Sequence, residues 1–383
     1  MIFSMHDELL HWRKEFPILE TSTYLISNSL GAMPRAVRES LAAYAEEWAT
    51  RGVTAWSDWW DMPIGVGDLL APILGCDARE ISLHQNVTIT QAIVASCFDP
   101  KPPRNRVVFS DMEFPSVKYF WQAQKDVEIV IVPSDGVAVP LERTLAAIDE
   151  RTLFVPMSHV LFRSAFIQDA AAIIRHAHSV GATVILDCFQ AAGTIPINLK
   201  ELDADFCVGG VLKWLCGGPG VSYLYVRSDL RAKLEPRLTG WMAHQRPFQF
   251  EPTQDLAGDS FRYLNGTPQI PAIYAAIPGL KIIGEVGVDA IRRKSMRQTA
   301  LLLDAALDRG FPVTAPRDPA QRAGTVAINV ANGYGVCQEL IRRKFMVDYR
   351  PNAGVRVSPH FYNTDEEVLS VVDEIGKIVA KAA

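Results

Sequence analysis

The sequence has few cysteines, and their spacing matches no metal site or disulfide framework. Six cysteines occur in 383 residues, with no CxxC pair and no metal-type spacing to histidine. Most lie in apolar segments, where cysteine behaves as a small buried hydrophobic residue. We therefore expect a reduced, cytoplasmic protein without a metal site.

The sequence also lacks an excess of positive charge and any long hydrophobic run. The formal net charge is −5 at pH 7, which argues against nucleic acid or an anionic membrane as a partner. No stretch approaches the roughly 20 apolar residues of a membrane span. The first eight residues carry an acidic pair where a signal peptide needs an apolar run. No GxGxxG motif opens the first strand–helix unit, which argues against a nicotinamide dehydrogenase.

What the sequence does contain is an alternation of strand and helix patterns. Residues 35–50 show apolar side chains at helical spacing, and residues 169–180 predict a second helix before Gly181. Such alternation favours an α/β fold with a mainly parallel sheet covered by helices. Ligands then bind at the carboxyl ends of the strands. Short β-branched runs predict strands at 106–110, 127–132, 153–157, 182–186 and 221–226.

After residue 285 the pattern changes to a compact α+β unit. We expect helices at 290–309, 335–344 and 365–381, and strands at 324–330 and 354–358. The C-terminal part is therefore predicted to form a second, smaller domain.

Two residues are candidates for chemistry, one at the end of a predicted strand and one in a glycine-rich apolar segment. Asp187 ends the run ATVILD, and 26 residues later Lys213 lies among apolar neighbours, followed by three glycines within seven residues. Burial of an ammonium group is costly, so desolvation lowers the pKa of such a lysine and makes it a nucleophile toward an aldehyde. Taken singly, Asp187 could cap a turn and Lys213 could extend to solvent from a strand edge.

Six segments together resemble one family over nearly the whole chain. They are Tyr24–Pro34 (YLISNSLGAMP), Glu113–Ser116 (EFPS), Ser158–Ser164 (SHVLFRS), Lys213–Gly220 (KWLCGGPG), Thr239–His244 (TGWMAH) and Phe261–Thr267 (FRYLNGT). The resemblance is to the class V aminotransferase family of pyridoxal-phosphate (PLP) enzymes of fold type I, and within it to the kynureninase-like branch. It implies a large domain with a sheet of the seven-stranded type and a smaller C-terminal α+β domain.

The resemblance also implies how the cofactor ring is held. Lys213 is expected to carry PLP as a Schiff base, and Asp187 to keep the pyridine nitrogen protonated so that the ring can accept electrons. Gln190 matches the residue beside the phenolic oxygen, where many relatives have histidine. Phe114 matches the aromatic residue that stacks on the ring, although a Phe before Pro is more often a packing residue.

The phosphate is expected at a helix N-terminus and at a subunit boundary. Val87 and Thr88 match the family's phosphate site, where backbone N–H groups at a helix start bind anions. Trp241 resembles a phosphate-contacting tryptophan. Thr267 resembles a residue that reaches the phosphate of the neighbouring subunit, which implies a homodimer with shared active sites.

The resemblance assigns the substrate side to residues from both ends of the chain. Arg356 matches the arginine that binds the α-carboxylate in a bidentate manner; Arg350 is a second candidate, and a surface arginine is the alternative. Asn28 and Trp60 are also expected near the substrate. Trp60 belongs to Ala55–Pro63 (AWSDWWDMP), which resembles an aromatic wall or is a core or interface cluster. A wall would favour an aromatic or bulky apolar amino acid.

Two positions depart from the kynureninase pattern. Leu212 replaces the tyrosine that usually precedes the lysine, and Val117 replaces an aspartate. A phenol there takes part in proton transfer. Cys337 lies 19 residues before Arg356 in a predicted helix, which argues against the loop cysteine of a desulfurase.

We therefore predict a PLP enzyme acting on an amino acid. Kynureninase-like cleavage of the side chain is favoured, transamination is the alternative, and a non-catalytic PLP-binding relic is a third possibility. The predicted division is an N-terminal arm and helix (1–50) packing with the small domain, a large PLP-binding domain (51–275) and the small domain (276–383).

Overall fold

The computed structural model describes residues 7–382, over which strands and helices alternate. The strands are β1 (Thr23–Tyr24), β2 (Ile81–His84), β3 (Arg106–Ser110), β4 (Glu128–Val132), β5 (Thr152–Ser158), β6 (Thr183–Asp187), β7 (Phe206–Gly210), β8 (Ser222–Val226), β9 (Val313–Thr314), β10 (Val326–Ile328), β11 (Phe345–Met346), β12 (Asp348–Arg350) and β13 (Gly354–Val357). The α-helices are α1 (Val37–Arg51), α2 (Trp56–Trp59), α3 (Met62–Gly65), α4 (Ala71–Leu74), α5 (Val87–Ser96), α6 (Pro115–Gln122), α7 (Leu141–Ala147), α8 (Ala170–Ser179), α9 (Ser228–Arg231), α10 (Ile270–Val286), α11 (Val288–Asp308), α12 (Gly333–Arg342) and α13 (Asp365–Ala382).

The largest sheet has seven strands in the order β2-β8-β7-β6-β5-β3-β4. The strands from β7 to β4 run parallel, and β8 is antiparallel to both of its neighbours. This arrangement confirms the predicted α/β class and the mainly parallel sheet. The five strands predicted from β-branched runs all lie in it, each within one residue of its predicted ends.

Both faces of this sheet are buried, because successive side chains of a strand point to opposite faces. In β6, Val184 and Leu186 join the apolar layer that contains Ile173 and Ile174 of α8. Ile185 joins the other layer, with Val94 of α5. Burial on both sides explains why these strands read as nearly continuous apolar runs.

The C-terminal residues form a second, four-stranded antiparallel sheet in the order β12-β13-β10-β9. Its apolar side packs against α11, α12 and α13 in a separate core. The N-terminal strand β1 pairs in parallel with β11, while α1 packs on α10. The division at residues 51 and 276 stays a prediction, and residues 1–6 of the predicted arm lie outside the described residues.

Sequence patterns missed two elements that support the site. Strand β7 lies in a run recognised only as apolar. Helix α10 is apolar over most of its length, with Lys281 and Glu285 as its charged residues, and it contains Pro278. It therefore lacks the clear division into apolar and polar faces that predicts a helix. Within residues 7–382 no single helix is long and apolar enough to cross a membrane; α10 and α11 meet that test by length and composition only as a pair bent by 80°.

Candidate active site

A cavity of about 250 Å³ opens at the carboxyl ends of β5 and β6. Parallel sheets bind ligands at this edge because strand ends and helix starts converge there. The cavity is lined by six of the eight residues predicted to bind the cofactor, namely Val87, Thr88, Phe114, Asp187, Gln190 and Lys213. The structure therefore brings together predicted residues from four separate segments of the chain.

Lys213 lies on the loop after β7, and two glycines allow other segments to approach that loop closely. A Cβ atom on Gly31 would come within 2.1 Å of the carbonyl oxygen of Lys213. On α10, a Cβ atom on Gly279 would come within 2.3 Å of the carbonyl oxygen of Cys216. The backbone of the loop is therefore held between the N-terminal segment and α10.

The amino group of Lys213 lies among aromatic rings. Its Nζ atom is 4.4 Å from the ring centre of Phe189 and 5.4 Å from that of Phe114. Desolvation, followed by the positive charge of Arg356, lowers the pKa of Lys213 to about 7. Near neutral pH a substantial fraction of this lysine is thus a neutral amine, the form that attacks carbonyl carbons.

Asp187 is the last residue of β6 and is only 6% exposed. The backbone N–H of Phe189 donates a hydrogen bond of 2.8 Å to its carboxylate. Burial raises the pKa of Asp187 to about 6, although that bond and the charge of Lys213 oppose the shift. A buried carboxylate of this kind favours a cationic or proton-donating ligand group beside it.

Gln190 is fixed in orientation by two hydrogen bonds. Its Oε1 atom accepts from the indole of Trp214 at 2.9 Å, and its Nε2 atom donates to the carbonyl oxygen of Asn28 at 3.0 Å. The side-chain amide of Asn28 is buried without a hydrogen-bond partner among the described residues. Buried amides of this kind are uncommon, because each unpaired group costs about 1–3 kcal/mol.

The helix α5 begins at the cavity with Val87 and Thr88. Asn86 caps it by accepting the N–H of Ile89 at 3.1 Å. The first N–H groups of a helix have no partner within the helix, so this end attracts anions. Phe114 lies on another wall, 41% exposed, with its ring perpendicular to that of Phe162.

Arg356 is held on β13 by four hydrogen bonds. Its Nε and Nη2 atoms donate to the carboxylate of Asp348 at 2.8 and 2.6 Å. Its Nη2 atom also donates to Ser29 Oγ at 3.0 Å, and its Nη1 atom donates to the carbonyl oxygen of Phe162 at 2.8 Å. Asp348 and Arg356 are opposite each other in the β12–β13 pair, which explains the bidentate geometry.

Five of the eleven predicted site residues do not line the cavity, namely Asn28, Trp60, Trp241, Thr267 and Arg356. Trp60 packs on Trp241 with ring centres 4.9 Å apart, and the Trp241 indole donates to the carbonyl oxygen of Pro247. Trp241 is 42% exposed, and Thr267 is also exposed. Phe248, 59% exposed, completes this aromatic cluster.

The two departures from the kynureninase pattern both lie on the cavity wall. Leu212 and Val117 line it, so the wall is apolar where a phenol and a carboxylate were expected from the resemblance.

Sequence reasoning missed three residues at the site: Ser158 lines the cavity, Glu113 bonds to Ser158, and Asp348 bonds to Arg356. Glu113 and Ser158 occur in quoted motifs without an assigned role, and Asp348 was not singled out. Glu113 is 1% exposed and accepts hydrogen bonds from Ser158. The signal that could have found Glu113 is its position beside the Phe-Pro turn that follows a predicted strand.

The chain is similar to known proteins along most of its length. The family model for aminotransferase class-V matches residues 66–371. An uncharacterized aminotransferase, YcbU of Bacillus subtilis (strain 168), is 31% identical over 95% of this chain and 96% of its own length. A kynureninase of Bacillus anthracis is 30% identical over 98% of this chain and 92% of its own. The apo structure of a cysteine desulfurase from Thermococcus onnurineus NA1 matches with a TM-score of 0.85 at 22% identity, covering 97% of this chain and 98% of the other, which supports the fold.

Proposed function

The chain belongs to the class-V aminotransferase family of PLP-dependent enzymes, and we propose that it cleaves the side chain of an amino acid by elimination at Cβ. The observation that carries the proposal is that the cavity offers one side chain to transfer protons at the substrate. Among the described residues of this chain that line the cavity, only Lys213 and Asp187 have titratable side chains. Since Asp187 is assigned to the cofactor, proton transfers at the substrate fall to Lys213.

The side chains around the cavity fit PLP by their chemistry. The Lys213 amine would hold the aldehyde carbon, and the buried Asp187 carboxylate would pair with the protonated pyridine nitrogen. Within the described residues the N–H groups of Val87 and Thr88 have no hydrogen-bond acceptor, which suits a phosphate. Phe114 offers a ring face, and Gln190 is assigned to the phenolic oxygen. When bound, PLP supplies an electron sink for the pair left when a bond to the substrate Cα breaks.

We assign the substrate carboxylate to Arg356. A guanidinium has five N–H donors, and protein acceptors engage four of them here. The Nε/Nη2 edge is taken by Asp348, so a carboxylate would bind the outer Nη1/Nη2 edge. There Ser29 Oγ is a neutral acceptor that an anion can replace, since charge-assisted hydrogen bonds are roughly twice as strong as neutral ones.

We assign proton transfer at the substrate Cα to Lys213. With PLP bound, a substrate amine would replace the Lys213 amine at the aldehyde carbon and would leave the lysine side chain free. With its pKa lowered to about 7 by burial and by Arg356, it can accept the Cα proton as an amine and donate a proton as an ammonium. That proton goes to the leaving group as its bond to Cβ breaks. Hydrolysis of the released product then gives a 2-oxo acid and ammonia.

The apolar wall favours elimination over hydrolytic cleavage of the Cβ–Cγ bond. Hydrolysis needs a further acid or base for the attacking water, and Leu212 and Val117 cannot serve. Elimination needs one proton carrier and a leaving group. The relatives named kynureninase support side-chain cleavage, and the apolar lining supports a substrate with a bulky, uncharged side chain.

Product analysis tests the proposal. We would incubate the holoenzyme with amino acids that carry sulfur or aromatic leaving groups at Cβ, and measure 2-oxo acid and ammonia. Many turnovers per site without change of the cofactor are expected, and Lys213→Ala should reduce the rate by about 10²–10⁴-fold. Accumulation of one equivalent of pyridoxamine phosphate per site would instead indicate transamination.

Transamination is the second candidate, because it also needs only one proton carrier at Cα. The relative named aminotransferase favours it. A third possibility, a non-catalytic relic, predicts a colourless protein that cannot be reconstituted with PLP.

We further propose a cytoplasmic homodimer with shared active sites. All six cysteines are free thiols, as expected in a reducing compartment. Trp241 and Thr267 lie at the surface, away from their own cavity, which is the arrangement expected if each serves the site of a second copy.

A further inference from the structure

Glu113 is a buried carboxylate with no part in the function proposed above. It lies in the β3–α6 loop and is 1% exposed. One carboxylate oxygen accepts the backbone N–H of Ser158 at 2.9 Å and also the Ser158 hydroxyl. The other oxygen accepts the Ser110 hydroxyl at 3.1 Å. Three hydrogen bonds inside the protein show that the carboxyl is fixed rather than solvated.

Ser158 connects Glu113 to the active site. It is the last residue of β5, it lines the cavity, and it is the register partner of Asp187 in the parallel β5–β6 pair. Its carbonyl oxygen accepts the side-chain amide of Gln168 at 2.6 Å. The backbone of Ser158 is thus held from both sides, and its hydroxyl is beside the strand end that carries Asp187.

The direction of the Ser158 hydroxyl proton has a consequence for Asp187. A serine hydroxyl has one proton to donate. While that proton is directed to Glu113, it is not available to the neighbouring Asp187 carboxylate. Ser158 and Asp187 are register partners on neighbouring strands, which lie about 4.8 Å apart, so a hydroxyl released from Glu113 can turn toward the Asp187 carboxylate and compete with its ligand.

We propose that Glu113 is a positioning residue that holds the Ser158 hydroxyl away from Asp187 and so reserves the Asp187 carboxylate for the cofactor's ring nitrogen. The proposal rests on PLP binding as proposed above. It assigns to Glu113 a role exercised through Ser158, not through its own charge.

The protonation of Glu113 is compatible with this role. Burial raises its pKa to about 7, with the Asp187 charge adding to the shift and the serine hydrogen bonds opposing it. A proton on the oxygen that faces Ser110 leaves the other oxygen free to accept both donors from Ser158. Glutamine can reproduce this neutral form, with its oxygen toward Ser158 and its amide toward Ser110.

Two substitutions distinguish the effect of the position of the Glu113 carboxylate from the effect of its charge. Glu113→Asp keeps the charge but shortens the side chain by one carbon, roughly 1.5 Å, which carries the carboxylate beyond hydrogen-bonding distance of Ser158. Glu113→Gln removes the charge but keeps the reach. Both variants are close to the native side chain in size, and thermal unfolding of each apoprotein checks that it folds.

The measured quantity is the dissociation constant of PLP, obtained by visible absorption titration of the full-length apoprotein. We expect Glu113→Asp to weaken binding by about tenfold, the scale of one hydrogen bond to a charged group. Glu113→Gln should bind more tightly than Glu113→Asp. Adding Ser158→Ala to Glu113→Asp should recover most of the lost affinity, because the competing hydroxyl is gone.

Other outcomes overturn the proposal. If Glu113→Gln is the weaker binder, Glu113 acts by its charge. If Ser158→Ala does not restore Glu113→Asp, Glu113 does not act through Ser158. Failure of the wild type to bind PLP is a separate result that contradicts the proposed function before any variant is compared. Binding followed by transamination leaves this test intact.

Discussion

Two aspartates, one in each sheet, show opposite pKa shifts: Asp187 is buried and Asp348 is half-buried. Asp187 ends β6 of the seven-stranded sheet, and burial raises its pKa to about 6. Asp348 lies in β12 of the four-stranded sheet. There the same desolvation is outweighed by the hydrogen bond and charge of Arg356, with further contributions from Ser29 and Arg350, so its pKa is lowered. The Asp348 carboxylate, paired with an arginine, is more readily ionised. The Asp187 carboxylate has no such pair and is available to a ligand.

The site therefore has two halves. We call Arg356 and Asp348, whose charges are paired, the satisfied half, and we call the Asp187 carboxylate the unsatisfied half. The guanidinium of Arg356 and the carboxylate of Asp348 stabilise each other before any substrate arrives. Asp187 has one backbone N–H donor and no cation within salt-bridge distance among the described residues. Buried carboxylates with few partners are characteristic of functional sites, where stability is given up for ligand binding.

Removing the cation from the satisfied half should destabilise the protein most. Arg356→Met leaves Asp348 largely buried beside the exposed Arg350, so we expect the free energy of unfolding to fall by about 3–5 kcal/mol. Urea unfolding of the apoprotein at pH 7 measures this change. The matched control is Arg350→Met, whose side chain is 43% exposed and should cost no more than about 1 kcal/mol. Equal losses for the two variants would contradict the division.

Removing the charge of Asp187, the unsatisfied half, should raise the free energy of unfolding instead of lowering it. The pKa of Asp187 rises from 3.8 to about 6 on folding, so the stability of the apoprotein should decrease as the pH rises through that interval. Asp187→Asn removes this penalty. It should stabilise the apoprotein at pH 7 by up to about 3 kcal/mol, from 1.36 kcal/mol per pKa unit, and should have little effect at pH 3.

Asp348→Asn is the control for the stabilisation predicted for Asp187→Asn. Because the pKa of Asp348 is lowered on folding, its ionised form contributes stability that is present at pH 7 and lost as the pH falls through the folded pKa. This variant should therefore be less stable than the wild type at pH 7. Destabilisation by Asp187→Asn at pH 7 would refute the comparison. PLP binding should weaken in Asp187→Asn even though the apoprotein gains stability.

The smallest effect on stability is expected for Thr267, which belongs to neither half of the site in its own chain. Thr267 is exposed, so Thr267→Ala should change the free energy of unfolding by less than about 0.5 kcal/mol. The dissociation constant of PLP should rise by about fivefold if Thr267 contacts the phosphate in a second copy, the value of one hydrogen bond.

Mixed dimers provide the control for Thr267. Combining Lys213→Ala chains with Thr267→Ala chains creates one site that has both native residues and one that has neither. One of the two sites in each mixed dimer should then regain native PLP affinity. If mixing restores none, Thr267 does not act across a subunit boundary.

Local patterns in the sequence were enough for the main elements and for the residues at strand ends. The β-branched runs predicted five strands of the large sheet, a strand end pointed to Asp187, and apolar neighbours pointed to Lys213. These features depend on short-range properties, namely side-chain alternation and the apolar neighbours of a lysine. Whether Lys213, Asp187 and Arg356 perform the roles given to them stays a prediction.

Tertiary structure alone decided which neighbours each site residue has. Glu113 and Ser158 are 45 residues apart in the chain, and Gly31 meets the Lys213 loop across a much longer separation. The opposite pKa shifts of Asp187 and Asp348 arise because only one of them is paired with an arginine by strand register. Residue type determines which charges a chain carries, but burial and the partner across the fold determine whether each charge is satisfied, and no local pattern encodes those two quantities.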